Sequence, residues 1–133
     1  MAITYNDTTS SGDGAVTSVS VSHNAGSDAN RYVLIAVYAE NAPTSDGLVT
    51  SVTFGAQAAS FVTRVGDSGE LNLYELIAPN SGAVTVTANF SDVSGRCAIL
   101  VQSYDGVHQT TPRRDTDATF TENTSIELTL TSQ

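Results

Sequence analysis

The chain has 133 residues, 14 of them acidic and five basic, for a formal net charge of −9. A surface this acidic repels phosphate backbones and anionic headgroups, which argues against nucleic acid and against a membrane surface as partners. All five basic residues are arginines, so Schiff-base chemistry on lysine and lysine isopeptide crosslinks are excluded, and the single Cys97 leaves no intrachain disulfide.

The length fits one domain, spanning 1–133, of a size that buries a real core without staples. The first residues, Met-Ala-Ile-Thr-Tyr-Asn-Asp, have neither the positive n-region nor the apolar h-region of a signal peptide. The reading is of a chain that stays in the cytoplasm or leaves by another route, such as assembly into a virus particle before lysis.

In chain order, residues 2–5 read as a short edge strand and 10–14, Ser-Ser-Gly-Asp-Gly, as a loop. Residues 16–23 alternate, with Val19 and Val21 on one face, and 24–30 form a polar turn. The stretch 31–40 contains an unbroken apolar run from Val33 to Tyr38, rich in β-branched and aromatic types. It is too short to cross a membrane, so it reads as a strand covered on both faces. Pro43 closes it in the loop 41–47. Residues 48–54 alternate again, and Gly55-Ala56-Gln57 connects tightly into 58–65. Gly66-Asp-Ser-Gly69 signals a hairpin into the strand 70–78, with Leu71, Leu73 and Ile77 on one face and Tyr74 and Leu76 on the other. Pro79-Asn-Ser-Gly82 is a turn. Residues 83–90 alternate with Val84, Val86, Ala88 and Phe90 inward, 91–95 turn, and 96–104 form a mostly apolar strand. The stretch 105–117 reads as irregular, and 125–131 as a last alternating strand.

No stretch carries a 3.6-residue period, so the expected fold is all-β: a two-layer antiparallel β-sandwich of about eight or nine strands, with jelly-roll or Greek-key topology. The long connection 105–123 is expected to carry the chain between sheets. Because the chain stops on a strand-like segment, a final strand is read as missing, lent by a neighbour, or belonging to a longer parent chain.

Three pieces together, Val49-Thr-Ser-Val-Thr-Phe-Gly55 followed by Gln57-Ala58, then Leu73-Tyr-Glu-Leu-Ile-Ala-Pro79, then Ser103-Tyr-Asp-Gly-Val-His-Gln-Thr-Thr-Pro112, resemble a β-sandwich module of phage and prophage structural proteins and of bacterial secreted multidomain proteins. The resemblance spans roughly residues 16–130. It implies particle-building, surface or adhesion roles without catalysis, and it supplies no catalytic residues. The chain departs from the secreted form in having no leader and in ending early.

Candidate chemistry is sparse. His108 with Asp105 and Ser103 has the residue types of a nucleophilic triad, but no Gly-x-Ser-x-Gly elbow accompanies them. Two distant histidines and one cysteine make no zinc spacing. Calcium takes oxygen ligands, and Asp7 with Asp13, or Asp115 with Asp117, offers carboxylates. Against this stands the reading of turn aspartates that accept backbone N–H bonds. Glu70 and Glu75 lie five apart and point to opposite faces of a strand, so they make no glycosidase pair. Glu75 reads as an outward charge that can pair with Arg64. Tyr32, Tyr38, Tyr74 and Tyr104 make a sugar-stacking platform only if exposed on one face. The tripeptides starting at Asn6, Asn89 and Asn123 match the glycosylation pattern, which matters only in a glycosylating host. Arg113-Arg114, beside Pro112, is a candidate interface pair for an acidic patch on a neighbouring subunit. Together these features point to a non-enzymatic structural protein of a virion surface, a capsid decoration or fibre component that self-associates. The alternative is an extracellular carbohydrate-binding or adhesion module that takes a glycan.

Overall fold

The computed structural model describes residues 2–40, 48–66 and 69–112 in full, and the backbone of 116–120 and 126–130. Among these the chain forms strands and no helix: β1 (Thr4–Asp13), β2 (Val16–Asn24), β3 (Tyr32–Glu40), β4 (Val49–Phe54), β5 (Gln57–Ala58), β6 (Ser60–Val65), β7 (Gly69–Ile77), β8 (Ala83–Ser94), β9 (Arg96–Asp105), β10 (Thr116–Phe120) and β11 (Ile126–Leu130).

The first nine strands make two antiparallel sheets, one of order β1-β9-β3-β7-β6 and one of order β2-β8-β4-β5. The pairs nest. β1 lies on β9, β2 on β8, β3 on β7 and β4 on β5. One long antiparallel ribbon, rolled so that successive pairs fall in alternate sheets, gives this order. It is the jelly roll, one of the two topologies that the strand pattern predicts.

The ribbon turns from sheet to sheet at short corners, each held by backbone hydrogen bonds. At the first, Gly14 and Ala15 separate β1 from β2 while Gly95 alone separates β8 from β9. There the Gly95 N–H donates to the Glu40 carbonyl at 2.6 Å. At the second, the Ala25 N–H donates to Gly82 O, and the Gly82 N–H donates to Gly26 O. Arg31 pins this corner, its Nε donating to Pro79 O at 3.0 Å and its Nη1 to Asp28 O at 2.6 Å.

Alternation along each strand sends one set of side chains between the sheets. Val33, Ile35, Val37 and Ala39 of β3 face Val52 and Phe54 of β4 and Val86, Ala88 and Phe90 of β8 in one continuous core. Each fully buried aliphatic or aromatic side chain here contributes about 1.5–3 kcal/mol. Cys97 is part of this core, as a small apolar residue, and burial pushes its thiol up from the ordinary range.

Four expectations need correction. β1 runs unbroken from Thr4 to Asp13, where a strand at 2–5 and a loop at 10–14 were expected. Its Ser, Gly and Asp residues have poor strand propensity, but β9 offers a ladder partner to each in turn, and tertiary pairing overrides propensity. β8 likewise extends to Ser94, through the expected turn at 91–95: the Ser91 N–H donates to Leu48 O at 2.8 Å, and after an irregularity in the ladder Ser94 pairs with Val16 of β2. The expected strand 58–65 is two: β5 pairs back on β4, and after Ala59 the chain changes sheets to become β6. Finally, the corners carry the chain between sheets, whereas the stretch expected to do so, 105–123, contains β10, which pairs with β11. The loop expected at 41–47 lies outside the described residues, as does the middle of the hairpin expected at Gly66–Gly69.

Candidate interaction surface

The same alternation that fills the core leaves β3, at the centre of the five-stranded sheet, with a second apolar face turned away from it. Tyr32, Leu34, Ala36 and Tyr38 occupy this outer face. In register beside them stand Tyr104, Gln102, Leu100 and Ala98 of β9, and Ile77, Glu75, Leu73 and Leu71 of β7. An outward sheet face in water ordinarily carries polar residues, as Thr85, Thr87 and Asn89 do on β8.

The two ends of this outer face differ. At one end Tyr32, Leu34, Leu73 and Val107 form a second buried cluster, packed with Val62 and Tyr104. Glu75 belongs to this end. It lies on the outer face, as expected of an outward charge, yet it is buried and accepts a hydrogen bond from the Tyr32 hydroxyl at 2.8 Å. Towards the other end the face opens into a groove of about 420 Å³ between Ser10, Ala36, Tyr38, Leu71, Ala98 and Leu100. Leu100 is 39% exposed in it. The Tyr38 hydroxyl donates to Glu40 at 3.1 Å, and burial followed by that carboxylate holds the phenol above its ordinary range. Gly69 lets β7 begin against this ring, since a Cβ there would lie 2.5 Å from the Tyr38 hydroxyl.

The tyrosines divide between faces. Tyr32, Tyr38 and Tyr104 lie on the outer face and Tyr74 lies inside, against Phe61. Tyr32 is buried, so the four do not form one exposed platform. Instead Tyr5 of β1, 56% exposed, meets Tyr104 edge to face with centroids 6.0 Å apart.

The remaining chemistry-bearing residues fall elsewhere. Ser103 and Asp105 are buried on the inner side of β9, while His108 is exposed in the following loop. His108 Nδ1 accepts the Thr111 N–H at 3.2 Å, whereas a triad requires that nitrogen to donate to the carboxylate. Asp7 and Asp13 each accept a neighbouring backbone N–H at 2.8 Å, from Thr8 and Gly14. No cluster of three metal-ligating side chains occurs among the described residues. Glu70 and Glu75 sit on opposite faces of β7, and the cation beside Glu70 is Arg64, at 3.4 Å. Arg113, Arg114 and Asp115 lie outside the described residues, and Asp117 is described only in its backbone. Among the described residues no helix is long and apolar enough to cross a membrane.

Sequence reasoning missed the buried roles of two polar residues that the fold uses. Glu70 accepts the Val49 N–H at 3.0 Å, which joins β7 to the start of β4 across the sandwich. His23, on β2, bonds through Nδ1 to the Thr9 hydroxyl of β1 at 2.8 Å, with an Asp7 carboxylate oxygen at 4.0 Å. Its only signal in the sequence was its place in phase with Val19 and Val21. Comparison with family models, with curated proteins and with solved structures found no match for this chain.

Proposed function

We propose that this chain is a non-enzymatic structural protein that works by packing against copies of itself or a larger scaffold. Its proposed setting is the surface of a phage particle, as a capsid decoration or fibre component. The observation that carries this reading is the apolar outer face of the five-stranded sheet, where Leu71, Ala98 and Leu100 border an open groove on a chain of net charge −9. An apolar sheet face on so acidic a protein supports the reading of a surface that is covered in use. The phage setting rests on the three-part sequence resemblance and on a fold analogy, since jelly rolls build viral capsids and also lectins. β1 adds a ten-residue sheet edge that a neighbouring chain can extend.

A second reading, an extracellular glycan-binding or adhesion module, is favoured by the exposed ring of Tyr5 against Tyr104 at the end of the same face. Light scattering of the chain across micromolar concentrations, run beside a glycan-binding assay, separates the two. Growth of mass with concentration and no glycan binding is expected. A strict monomer that binds glycan, with binding lost in Tyr5→Ala, would replace the structural reading with the second.

A further inference from the structure

The groove and the last two strands fit one another. β10 and β11 pair with each other and belong to neither layer of the sandwich. Their register sets Ala118 opposite Leu128 and Phe120 opposite Ile126, with Thr116 opposite Leu130. Residues in register share a face, so these positions form one face of the ribbon, and Asp117, Thr119, Glu127 and Thr129 form the other. A two-stranded hairpin is marginal alone in water and needs a surface to cover its apolar face.

Within its own chain the ribbon stands beside β6, at the edge of the five-stranded sheet. The groove lies further in, bordered by β9 and β1. Three strand spacings separate β6 from β9, about 14 Å at ~4.8 Å each. With the chain's own ribbon at that edge, Leu100 is still 39% exposed. We propose that the occupant of the groove is the β10–β11 ribbon of a second copy, laid apolar face down across β9 and β3, in a reciprocal two-fold exchange. Exchanged reciprocally about a two-fold axis, the same contact is made twice and the dimer is isologous. The proposal rests on the self-packing reading above and names its partner and contact.

Cysteine pairing tests it. Leu100→Cys is made in one batch of full-length chain and Leu128→Cys in an isotopically labelled batch, and the two are mixed and oxidised. The unmodified chain, whose Cys97 is buried, is the control. Mixed-mass disulfide dimers joining Cys at 100 to Cys at 128 are expected, in excess of either homodimer. Failure to form them, while light scattering shows that the chain dimerises, would overturn the ribbon exchange and leave self-packing standing. A monomer at all concentrations would overturn both. In the chain carrying both substitutions, an internal disulfide in the monomer would place the ribbon on its own groove and also overturn the exchange.

Discussion

The imidazole of His23 and the hydroxyl of Thr9, 2.8 Å apart, join the edge strand of one sheet to the edge strand of the other and close one side of the sandwich. His23 is 1% exposed, and its Nε2 has no hydrogen-bond partner among the described residues. Burial pulls its pKa down from the ordinary value, and the nearby Asp7 carboxylate opposes that shift.

A pH dependence of stability follows. An unfolded histidine takes its proton near pH 6.5, and the folded His23 takes it only at lower pH. Stability is therefore complete above that value and falls as the pH drops below it, by at most about 1.4 kcal/mol per unit. Urea midpoints measured from pH 7.5 to pH 5 will decline, and His23→Gln will flatten the decline. Asp105 acts in the opposite sense. Burial, then the charge of Asp28, raises its pKa, so the folded chain takes this proton before the unfolded one as the pH falls toward the ordinary carboxylate range, and that uptake favours folding.

Glu70 is a buried polar group that ties β7 to the start of β4. Glu70→Ala strands the Val49 N–H in the interior, and its cost is about 2–3 kcal/mol in urea unfolding. Glu70→Gln keeps an acceptor at the same reach and will cost less than half as much. Equal losses in the two variants would show that the contact with Arg64, not the bond to Val49, sets the value.

The two faces of the five-stranded sheet predict a contrast in apolar substitutions. Phe54 is fully buried between the layers, and Phe54→Ala will cost about 3–5 kcal/mol. Leu100→Ala, on the outer face, will change the stability of the monomer by no more than about 0.5 kcal/mol. Chemical denaturation at low protein concentration measures both.

Ala78 has φ = 52°, in the left-handed region, at the corner between β7 and β8. That conformation costs an alanine about 1–2 kcal/mol and a glycine almost nothing. Ala78→Gly will raise the thermal midpoint by a few degrees, whereas Ala88→Gly inside β8 will lower it.

Period-two alternation made the core legible, because burial on one side of a strand writes itself directly into residue order. Val84, Val86, Ala88 and Phe90 were placed correctly on that ground alone, and the apolar run of β3 pointed to its central position. Where pairing partners rather than residue type decide, the sequence was silent. The polar residues of β1 are a strand because β9 lies beside them, and Thr116–Phe120 is one because β11 folds back on it. The outer face was half legible. Leu71, Leu73 and Ile77 were seen to share a side, but only the sheet order brings Leu100 and Ala98 to the same surface. Glu75 shows the limit, since a charge on that side reads as solvent-facing until the Tyr32 hydroxyl is seen bonded to it.

Sedimentation equilibrium of the wild-type chain against Leu100→Asp tests most directly whether the outer face is where copies meet. Wild type is predicted to associate, and the aspartate in the groove to weaken that association at least tenfold while circular dichroism and the urea midpoint of the monomer stay unchanged. Equal association of the two proteins, or a wild-type chain that remains a monomer at every concentration, would contradict the account.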